Sequence, residues 1–312
     1  MAGPAVAEDL AAPGNLITNG SGTVDHGVRD DMTADFTVLG GRGYVGSHLI
    51  RYLQANGASC DVPERDDRSF LARRHNHIVY CIGLTADYQS RPFDTVEAHT
   101  SLFSEVLRQG QFESLIYLSS TRLYDSGGGH TQESADLVLN PTDPRHIYDL
   151  SKALGEALCA SAGRKRAHAA RLSCVYSDDL SGPGFLDTLI RRALSETRIV
   201  IDTRLDSARD YVHIDDVCRA LVAIAKHGHR PIYNVASGVN VSNGELFDLI
   251  AGQTGCGIEA ADRAPSPMPN PPVVDIQALR EDCGIVPRQL VECLGAIVAA
   301  HQPQAQTLAG VT

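Results

Sequence analysis

The chain has 312 residues, of which 43% are hydrophobic, so it is long enough for one large domain or two smaller ones with a sizeable core. Its formal net charge of −11 argues against a general nucleic-acid binder and against a protein that binds membrane surfaces. The eight cysteines are scattered, without a CxxC pair or a zinc-ligand spacing, which predicts free thiols, no metal and a reducing, cytoplasmic compartment.

The sequence shows no secretory signal and no apolar run of about 18 residues, the length that a membrane span requires. Residues 1–33 are rich in glycine, alanine and aspartate and lack periodicity, so they are predicted to form a flexible tail. Residues 301–312 are predicted to be a loose C-terminus.

A glycine-rich turn follows the first predicted strand, residues 36–39. Glycines stand at positions 40, 41, 43 and 46, and an apolar helical pattern begins at Val45. Glycine permits a tight turn and a close approach to a ligand, while a helix N-terminus offers free N–H groups to an anion. The spacing fits either GxGxxG from Gly41 or GxxGxxG from Gly40, and both predict a dinucleotide site. A glycine-rich turn without a ligand is the alternative.

The second predicted strand and its exit, residues 58–66, contain Glu64 and Arg65. At this place in dinucleotide folds a carboxylate binds the ribose hydroxyls of NAD, whereas an arginine suits the 2′-phosphate of NADP. The next predicted strand is 77–83, and the gap of about a dozen residues before it has room for only one short helix or loop.

The rest of the chain alternates predicted strands and helices, which implies a parallel, doubly wound α/β sheet. The predicted helices include 93–110, 146–161, 185–194, 216–227 and 244–254, and the predicted strands include 114–120, 169–176 and 232–236. On the helix over 146–161, an apolar stripe is predicted to face the core: Ile147, Leu150, Leu154 and Leu158.

Tyr148 and Lys152 are four residues apart on that helix, so their side chains point the same way. A tyrosine hydroxyl titrates near pH 10, and an ammonium group one turn away is expected to lower its pKa. Such a tyrosine exchanges a proton with a substrate hydroxyl or carbonyl. YxxxK alone is common on helix surfaces, but here Ser120 stands at a strand tip 28 residues earlier, where it can hydrogen-bond the same substrate oxygen.

Together, the glycine loop, Ser120 and the Tyr148–Lys152 pair resemble the extended short-chain dehydrogenase/reductase family, the NAD(P)-dependent epimerases and dehydratases. The likeness covers residues 36–295 and includes Arg209-Asp-Tyr-Val-His-Ile-Asp-Asp216, Ile232-Tyr-Asn-Val-Ala-Ser-Gly238 and Ser242-Asn-Gly-Glu-Leu246. It implies an NAD(P)-binding Rossmann domain over 34–176 plus 209–236, and a smaller C-terminal substrate domain over 177–208 plus 237–300.

The resemblance also implies residue roles. Tyr148 would be the acid/base, with Lys152 and Ser120 as its catalytic partners. The GxxGxxG register becomes the operative one, and the implied cofactor-binding residues are Gly40, Arg42, Gly43, Tyr44, Val45, Gly46, Glu64, Arg65, Gly83, Tyr148 and Lys152. Thr121 and Arg209 would bind substrate, with Arg209 on the diphosphate of a nucleotide sugar. The alternative for Arg209 is a salt bridge with Asp210 or Asp215.

Several positions depart from the family pattern. The family usually has one more strand after the ribose-binding strand, for which this chain has no room, so a shortened sheet and a more open adenine site are expected. Cys174 and His99 replace frequent asparagines near the substrate and the nicotinamide. The 4,6-dehydratases place Asp-Glu after the strand-tip residue, whereas this chain has Thr121 and Arg122, so dehydration is not expected.

The implied function is oxidoreduction at a sugar carbon, by epimerisation or keto-reduction of a nucleotide sugar, in a homodimer that binds neither nucleic acid nor membrane. The alternatives are an NADP-dependent reductase or dehydrogenase of a non-sugar carbonyl compound, and a non-catalytic NAD(P)-binding regulatory protein. Glu64 favours the NAD that epimerases retain. Arg42 and Arg65 can hold a 2′-phosphate together, and two cations against one carboxylate favour NADP slightly.

Overall fold

The structure is a computed structural model that describes residues 33–127, 129–162, 166–261 and 270–302. The predicted tail before Thr33 and the predicted loose segment after Gln302 lie outside these residues. Within them, no helix has the length and apolar character needed to cross a membrane.

The described residues form strands and helices that alternate through most of the chain. The strands are β1 (Phe36–Leu39), β2 (Cys60–Asp61), β3 (Arg74–Tyr80), β4 (Gln111–Ser120), β5 (Arg166–Leu172), β6 (Cys174–Tyr176), β7 (Arg198–Ile201), β8 (Ala208–His213), β9 (Ile232–Val235), β10 (Asn240–Ser242) and β11 (Gly257–Ala260). The α-helices are α1 (Tyr44–Ala55), α2 (Pro92–Val96), α3 (Leu102–Gln109), α4 (His146–Ser161), α5 (Phe185–Ala193), α6 (Ile214–His227), α7 (Asn243–Thr254), α8 (Gln277–Cys283) and α9 (Leu290–His301).

Six parallel strands build the central sheet, in the order β2-β1-β3-β4-β5-β9. Side chains alternate between the two faces of the sheet, so each strand contributes residues to the hydrophobic core on either face. In β4, Ile116 and Leu118 pack in the core that includes α1 and α6. Leu115 and Tyr117, on the opposite face, pack in the core that includes α3 and α4. Helices therefore cover both faces, and the predicted doubly wound fold is confirmed.

The sheet ends at β2, as the short gap in the sequence predicted. Between β2 and β3 the described chain contains a short 3₁₀ helix, Ser69–Ala72, and no further strand. Strand β2 itself spans only Cys60–Asp61, much less than the predicted 58–66. Glu64 and Arg65 consequently stand in a loop that leaves the sheet edge.

Two predicted elements are divided in the structure. The predicted helix over 93–110 consists of α2, a π-helical segment Glu97–Ser101 and α3. The predicted strand over 169–176 breaks at Ser173. Its first part, β5, belongs to the central sheet, whereas β6 pairs with β8, which also pairs antiparallel with β10.

Helix α4 buries a different face from the predicted one. Leu154, in the predicted core stripe, is 52% exposed. The buried face carries Tyr148, Lys152, Gly155 and Glu156. Polar side chains are buried there because they have partners in the sheet, and an apolar-stripe rule cannot detect such pairs.

A further apolar cluster lies outside the central sheet. It gathers Leu189 of α5, Ile199 of β7, Leu246 of α7 and Leu294 of α9. Strands β7 and β11 pair beside these helices. The residues come from the segments for which the sequence predicts a separate substrate domain.

Candidate active site

The glycine loop joins β1 to the N-terminus of α1. Gly40 has φ +83°, a backbone conformation that favours glycine, and Gly43 donates a backbone hydrogen bond to the Gly40 carbonyl at 3.0 Å. A Cβ on Gly46 would lie 2.5 Å from the Gly40 oxygen. Tyr44 and Val45 begin the helix. The loop is thus a cradle that Cβ atoms would fill, with helix N–H groups beside it, and it fits a dinucleotide phosphate.

A cavity of about 700 Å³ opens beside this loop. Gly40 and Gly43 line it together with Gly83, at the carboxyl end of β3. A Cβ on Gly83 would approach His99 Nε2 to 3.1 Å and Lys152 Nζ to 3.4 Å, so this backbone reaches the catalytic candidates. The cavity's size lies in the range of small-molecule and cofactor sites.

Arg42 and Glu64 form an ion pair at the rim of this cavity, and both side chains are largely exposed. The Glu64 carboxylate therefore already has a cationic partner, with which the hydroxyls of a ribose would have to compete. Arg65 also lines the cavity, and none of the described carboxylates lies within 4.0 Å of its guanidinium. Arg42, Glu64 and Arg65, which are predicted to influence the choice between NAD and NADP, therefore lie at the same cavity.

Ser120, Tyr148 and Lys152 are brought together by β4 and α4. Ser120 ends β4, and its hydroxyl is near enough to the buried Tyr148 side chain to affect the pKa of the phenol. Lys152 donates from Nζ to the Leu118 carbonyl at 2.7 Å, and Nζ lies 5.9 Å from the Tyr148 ring centroid. The three predicted catalytic residues thus share one small region at the carboxyl end of the sheet.

The expected lowering of the Tyr148 pKa by Lys152 is wrong for this structure. Burial raises the pKa of Tyr148 to about 12, and this rise is opposed by the nearby Ser120 hydroxyl and by the charge of Arg122. Burial also lowers the pKa of Lys152 to about 7, because removing an ammonium group from water is costly. Lys152 therefore carries its positive charge only part of the time at neutral pH, which weakens its effect on the Tyr148 phenol.

His99 has a defined tautomer. Its Nε2 accepts a hydrogen bond from the Leu84 N–H at 3.2 Å. Ser151 donates its hydroxyl to the Tyr148 carbonyl at 2.8 Å, so its oxygen accepts from His99 Nδ1 at 2.8 Å. Burial, and then the charge of Lys152, lower the pKa of His99 to about 3, so the ring is neutral. It ties α4 to the loop after β3.

In the sequence, Arg122 is notable only because it stands where the 4,6-dehydratases have an acidic residue. In the structure its guanidinium carbon lies 5.1 Å from the Tyr148 ring centroid and 4.8 Å from the Tyr88 ring centroid. Tyr88 lies in the loop before α2, and nothing in the pattern of the sequence singles it out. Both residues belong to the site because the loop folds back over α4, a long-range contact.

A second cavity, of about 410 Å³, is lined by Ser120. Thr121 and Arg209, the predicted substrate-binding residues, line it together with Cys174. Burial raises the pKa of Asp125 in its wall, and the charges of Arg209, Arg122 and Arg145 oppose that rise. Three guanidinium groups thus act on this cavity, which suits an anionic substrate.

Arg209 does not form either of the salt bridges considered for it. Asp210 accepts backbone hydrogen bonds from Ser237 at 2.8 Å and Gly238 at 2.7 Å. Asp215 lies 3.5 Å from Arg288 instead. Among the described carboxylates, none lies within 4.0 Å of the Arg209 guanidinium, which leaves this cation available to a ligand.

One cluster of the described residues has potential metal ligands, namely Asp178, His213 and Asp215. His213 Nδ1 accepts the Asp215 N–H at 3.1 Å and caps α6, and Nε2 faces Asp178 at 3.0 Å. Nδ1 is thus engaged as the helix cap, whereas Nε2 forms no hydrogen bond with the described residues, and the cap favours a structural role for this histidine. The absence of a metal stays a prediction.

Comparison with known proteins agrees with this geometry. Residues 36–236 match the NAD dependent epimerase/dehydratase family, which is more than half of the chain. The chain therefore belongs to this family, whose members include NAD(P)-dependent epimerases, reductases and dehydratases. It is 25% identical over 253 residues to the GDP-6-deoxy-D-mannose reductase of Pseudomonas aeruginosa, covering 70% of this chain and 80% of the reductase.

Solved structures show the same fold. MoeE5, in complex with UDP-glucuronic acid and NAD, superposes with a TM-score of 0.73 at 21% identity, covering 85% of this chain and 98% of MoeE5. RMD from Pseudomonas aeruginosa, complexed with NADPH, gives 0.69 at 21% identity, covering 86% and 97%. The NDP-hexosamine 5,6-dehydratase TunA gives 0.69 at 17% identity, covering 86% and 97%, so the fold alone does not separate the reactions.

Proposed function

We propose that this protein catalyses NAD(P)-dependent oxidoreduction at a sugar carbon of a nucleotide sugar, with Tyr148 as the acid/base. The observation that carries the proposal is that the predicted catalytic residues reach two cavities: Ser120 lines one of them, and Gly83, which approaches Lys152 Nζ, lines the other. One cavity has the glycine loop at its wall, and the other has Arg209. Such a site holds a dinucleotide on one side and an anionic substrate on the other.

The residues divide the chemistry among them. In the oxidising direction, the Tyr148 phenolate accepts the proton of the substrate hydroxyl while the hydrogen on the carbon leaves as hydride. In the reducing direction, the Tyr148 hydroxyl returns that proton to the alkoxide. Ser120 hydrogen-bonds the same oxygen, and Lys152 orients the ribose. A bound nicotinamide would accept or supply the hydride.

Arg209 is proposed to bind the diphosphate. Its guanidinium lines the second cavity without a carboxylate partner among the described residues, and arginine pairs well with phosphate oxygens. Thr121 is proposed to contact the sugar beside it. We expect Arg209→Ala to raise KM for a nucleotide sugar by at least about tenfold, the loss of one charge-assisted contact. The same substitution should leave KM for a keto-sugar without diphosphate unchanged.

Epimerisation and keto-reduction remain the two proposed outcomes. The relative from Pseudomonas aeruginosa is named a reductase, and Arg42 and Arg65 beside the cofactor cavity favour NADP slightly. Dehydration is not proposed, because Thr121 and Arg122 follow Ser120 where an acid and base pair would be needed. A non-sugar carbonyl substrate is less well supported, since it would leave Arg209 without a function.

The experiment that tests the proposal begins with the nucleotide released from the denatured protein, identified by mass spectrometry. The protein is then incubated with nucleoside-diphosphate hexoses and their 4-keto forms. A reductase consumes NADPH in proportion to product, whereas an epimerase retains NAD and inverts one carbon without net oxidation. Failure to bind either dinucleotide would contradict the proposal, and so would the absence of turnover with every nucleotide sugar.

We also propose a homodimer in a cytoplasmic compartment. Phe93 of α2 is 87% exposed and Leu154 of α4 is 52% exposed, and these two helices pack against each other. Exposed apolar groups on adjoining helices favour association with a second copy. All eight cysteines are free thiols, which favours a reducing compartment. Sedimentation would show a monomer if the assembly is wrong.

A further inference from the structure

Arg122 is held rigidly over the ring of Tyr148. Its side chain is only 27% exposed, and its Nε lies 3.1 Å from the buried Asp149 carboxylate. It donates from Nη2 to the Tyr88 hydroxyl at 2.7 Å and to the Arg145 carbonyl at 3.2 Å. A guanidinium with three partners in fixed directions has little freedom to leave this place.

The same residue also orients Ser120. The backbone N–H of Arg122 donates to Ser120 Oγ at 3.2 Å, so one residue touches both hydroxyl-bearing members of the site. Lys152 is farther from the phenol, with Nζ 5.9 Å from the Tyr148 ring centroid against 5.1 Å for the Arg122 guanidinium carbon. Lys152 also faces the carbonyl of Leu118, to which it donates.

We propose that Arg122 is a positioning residue that stabilises the Tyr148 phenolate as a permanent cation, with Tyr88 and Asp149 holding its guanidinium over the ring. The inference rests on the proposed role of Tyr148 as acid/base. A cation over an aromatic face attracts the neutral ring and attracts the phenolate more strongly. Arginine suits this place because its charge persists at every pH at which the enzyme folds.

The other groups around Tyr148 do not replace Arg122. The Tyr88 ring lies 5.4 Å away and the neutral His99 ring 5.3 Å away, and neither carries a positive charge. Asp149 is an anion and opposes the phenolate, so it offsets part of the effect of Arg122. The net effect of losing Arg122 is therefore expected to be moderate.

The test places a fluorinated tyrosine at position 148, so that this phenol titrates within the range in which the protein is folded. Its ionisation is followed by ¹⁹F NMR without cofactor or substrate. We expect Arg122→Gln to raise the midpoint by about one pH unit, the effect of losing a neighbouring cation. Arg122→Lys should raise it by less, and Tyr88→Phe, which keeps every charge, should give a smaller rise.

Arg145→Gln is the matched control. It removes the same charge from the same cavity wall but keeps the backbone carbonyl that accepts from Arg122, and the Arg145 side chain donates from Nη2 to Ser126 Oγ at 3.3 Å. Its midpoint should stay at that of the parent. Equal midpoints in the parent, Arg122→Gln and Tyr88→Phe would overturn the proposal, as would equal shifts for Arg122→Gln and Arg145→Gln. Because no turnover is measured, a failure of this test can be told apart from a failure of the proposed function.

Discussion

Glu156 and Arg171 form an ion pair that is almost entirely excluded from water, between α4 and β5. Arg171 Nη2 lies 2.6 Å from Glu156 Oε2, and Nε bonds Oε1 at 2.8 Å, so the pair is bidentate. Arg171 also donates to the Tyr124 hydroxyl at 2.5 Å. Removing one partner would leave an uncompensated charge in the core.

Substitution of Glu156 by alanine is accordingly expected to lower the free energy of unfolding by about 3–5 kcal/mol. Urea denaturation of the purified protein measures this. The control is Glu196→Ala, which breaks the exposed Arg192–Glu196 pair and should produce no measurable change. Equal stabilities for Glu156→Ala and the wild type would show that the buried pair contributes nothing.

Lys152 gives the stability a pH dependence of known sign. Burial lowers its pKa from an ordinary 10.5 to about 7, so between these pH values the unfolded state binds more protons than the folded state. Stability from this group therefore rises with pH across that window, by at most about 1.4 kcal/mol per pH unit. Relative to Lys152→Met, the wild type should gain stability from pH 7 to pH 10 in urea titrations. A constant difference between the two proteins would refute the shift.

Among the elements, the strand, turn and helix over residues 36–55 could be predicted because their signals are local. A buried apolar run, glycines and an amphipathic helix are each visible within a few residues. The face of α4 could not be predicted, because Glu156 is buried by a partner on β5 that lies far away in the sequence. The break at Ser173 likewise depends on which strands pair with β5 and β6, and these partners lie far away in the sequence.

Gly155 marks the contact between α4 and the sheet. A Cβ at this position would lie 2.4 Å from the Tyr117 ring, which is buried and cannot move freely. We predict that Gly155→Ala lowers the unfolding free energy by about 1–3 kcal/mol through overpacking. The matched substitution Gly252→Ala, on α7 with open space around the new methyl, should instead stabilise by about 0.5–1 kcal/mol. The prediction fails if both substitutions change the free energy of unfolding in the same direction.

Gly46 is packed equally tightly in the glycine loop. The methyl group of Gly46→Ala would collide with the Gly40 carbonyl at 2.5 Å and push the loop away from α1. Dinucleotide affinity should fall by more than about tenfold, a cost of at least 1.4 kcal/mol, in calorimetric titrations. Gly252→Ala should bind like the wild type. Unchanged affinity in Gly46→Ala would place the phosphates elsewhere.

At the scale of the whole molecule, an acidic chain presents local cations where anions are expected to bind. The net charge is −11, yet Arg122, Arg145 and Arg209 act on one cavity, and Arg42 and Arg65 line the other. The proximity of Ser120, Tyr148 and Lys152 could be predicted from motif spacing. Arg122 and Tyr88 could not, because only the folded chain brings their loops to the same tyrosine.

We have proposed that Tyr148 transfers the proton in a hydride reaction of a nucleotide sugar. The most direct measurement is the single-turnover rate of hydride transfer between the nicotinamide cofactor and a nucleotide sugar, in the wild type and in Tyr148→Phe. We predict a loss of about 10²–10⁴-fold in Tyr148→Phe, the contribution of a positioned acid/base, with unchanged cofactor affinity. A Tyr148→Phe protein that transfers hydride at the wild-type rate would contradict the claim.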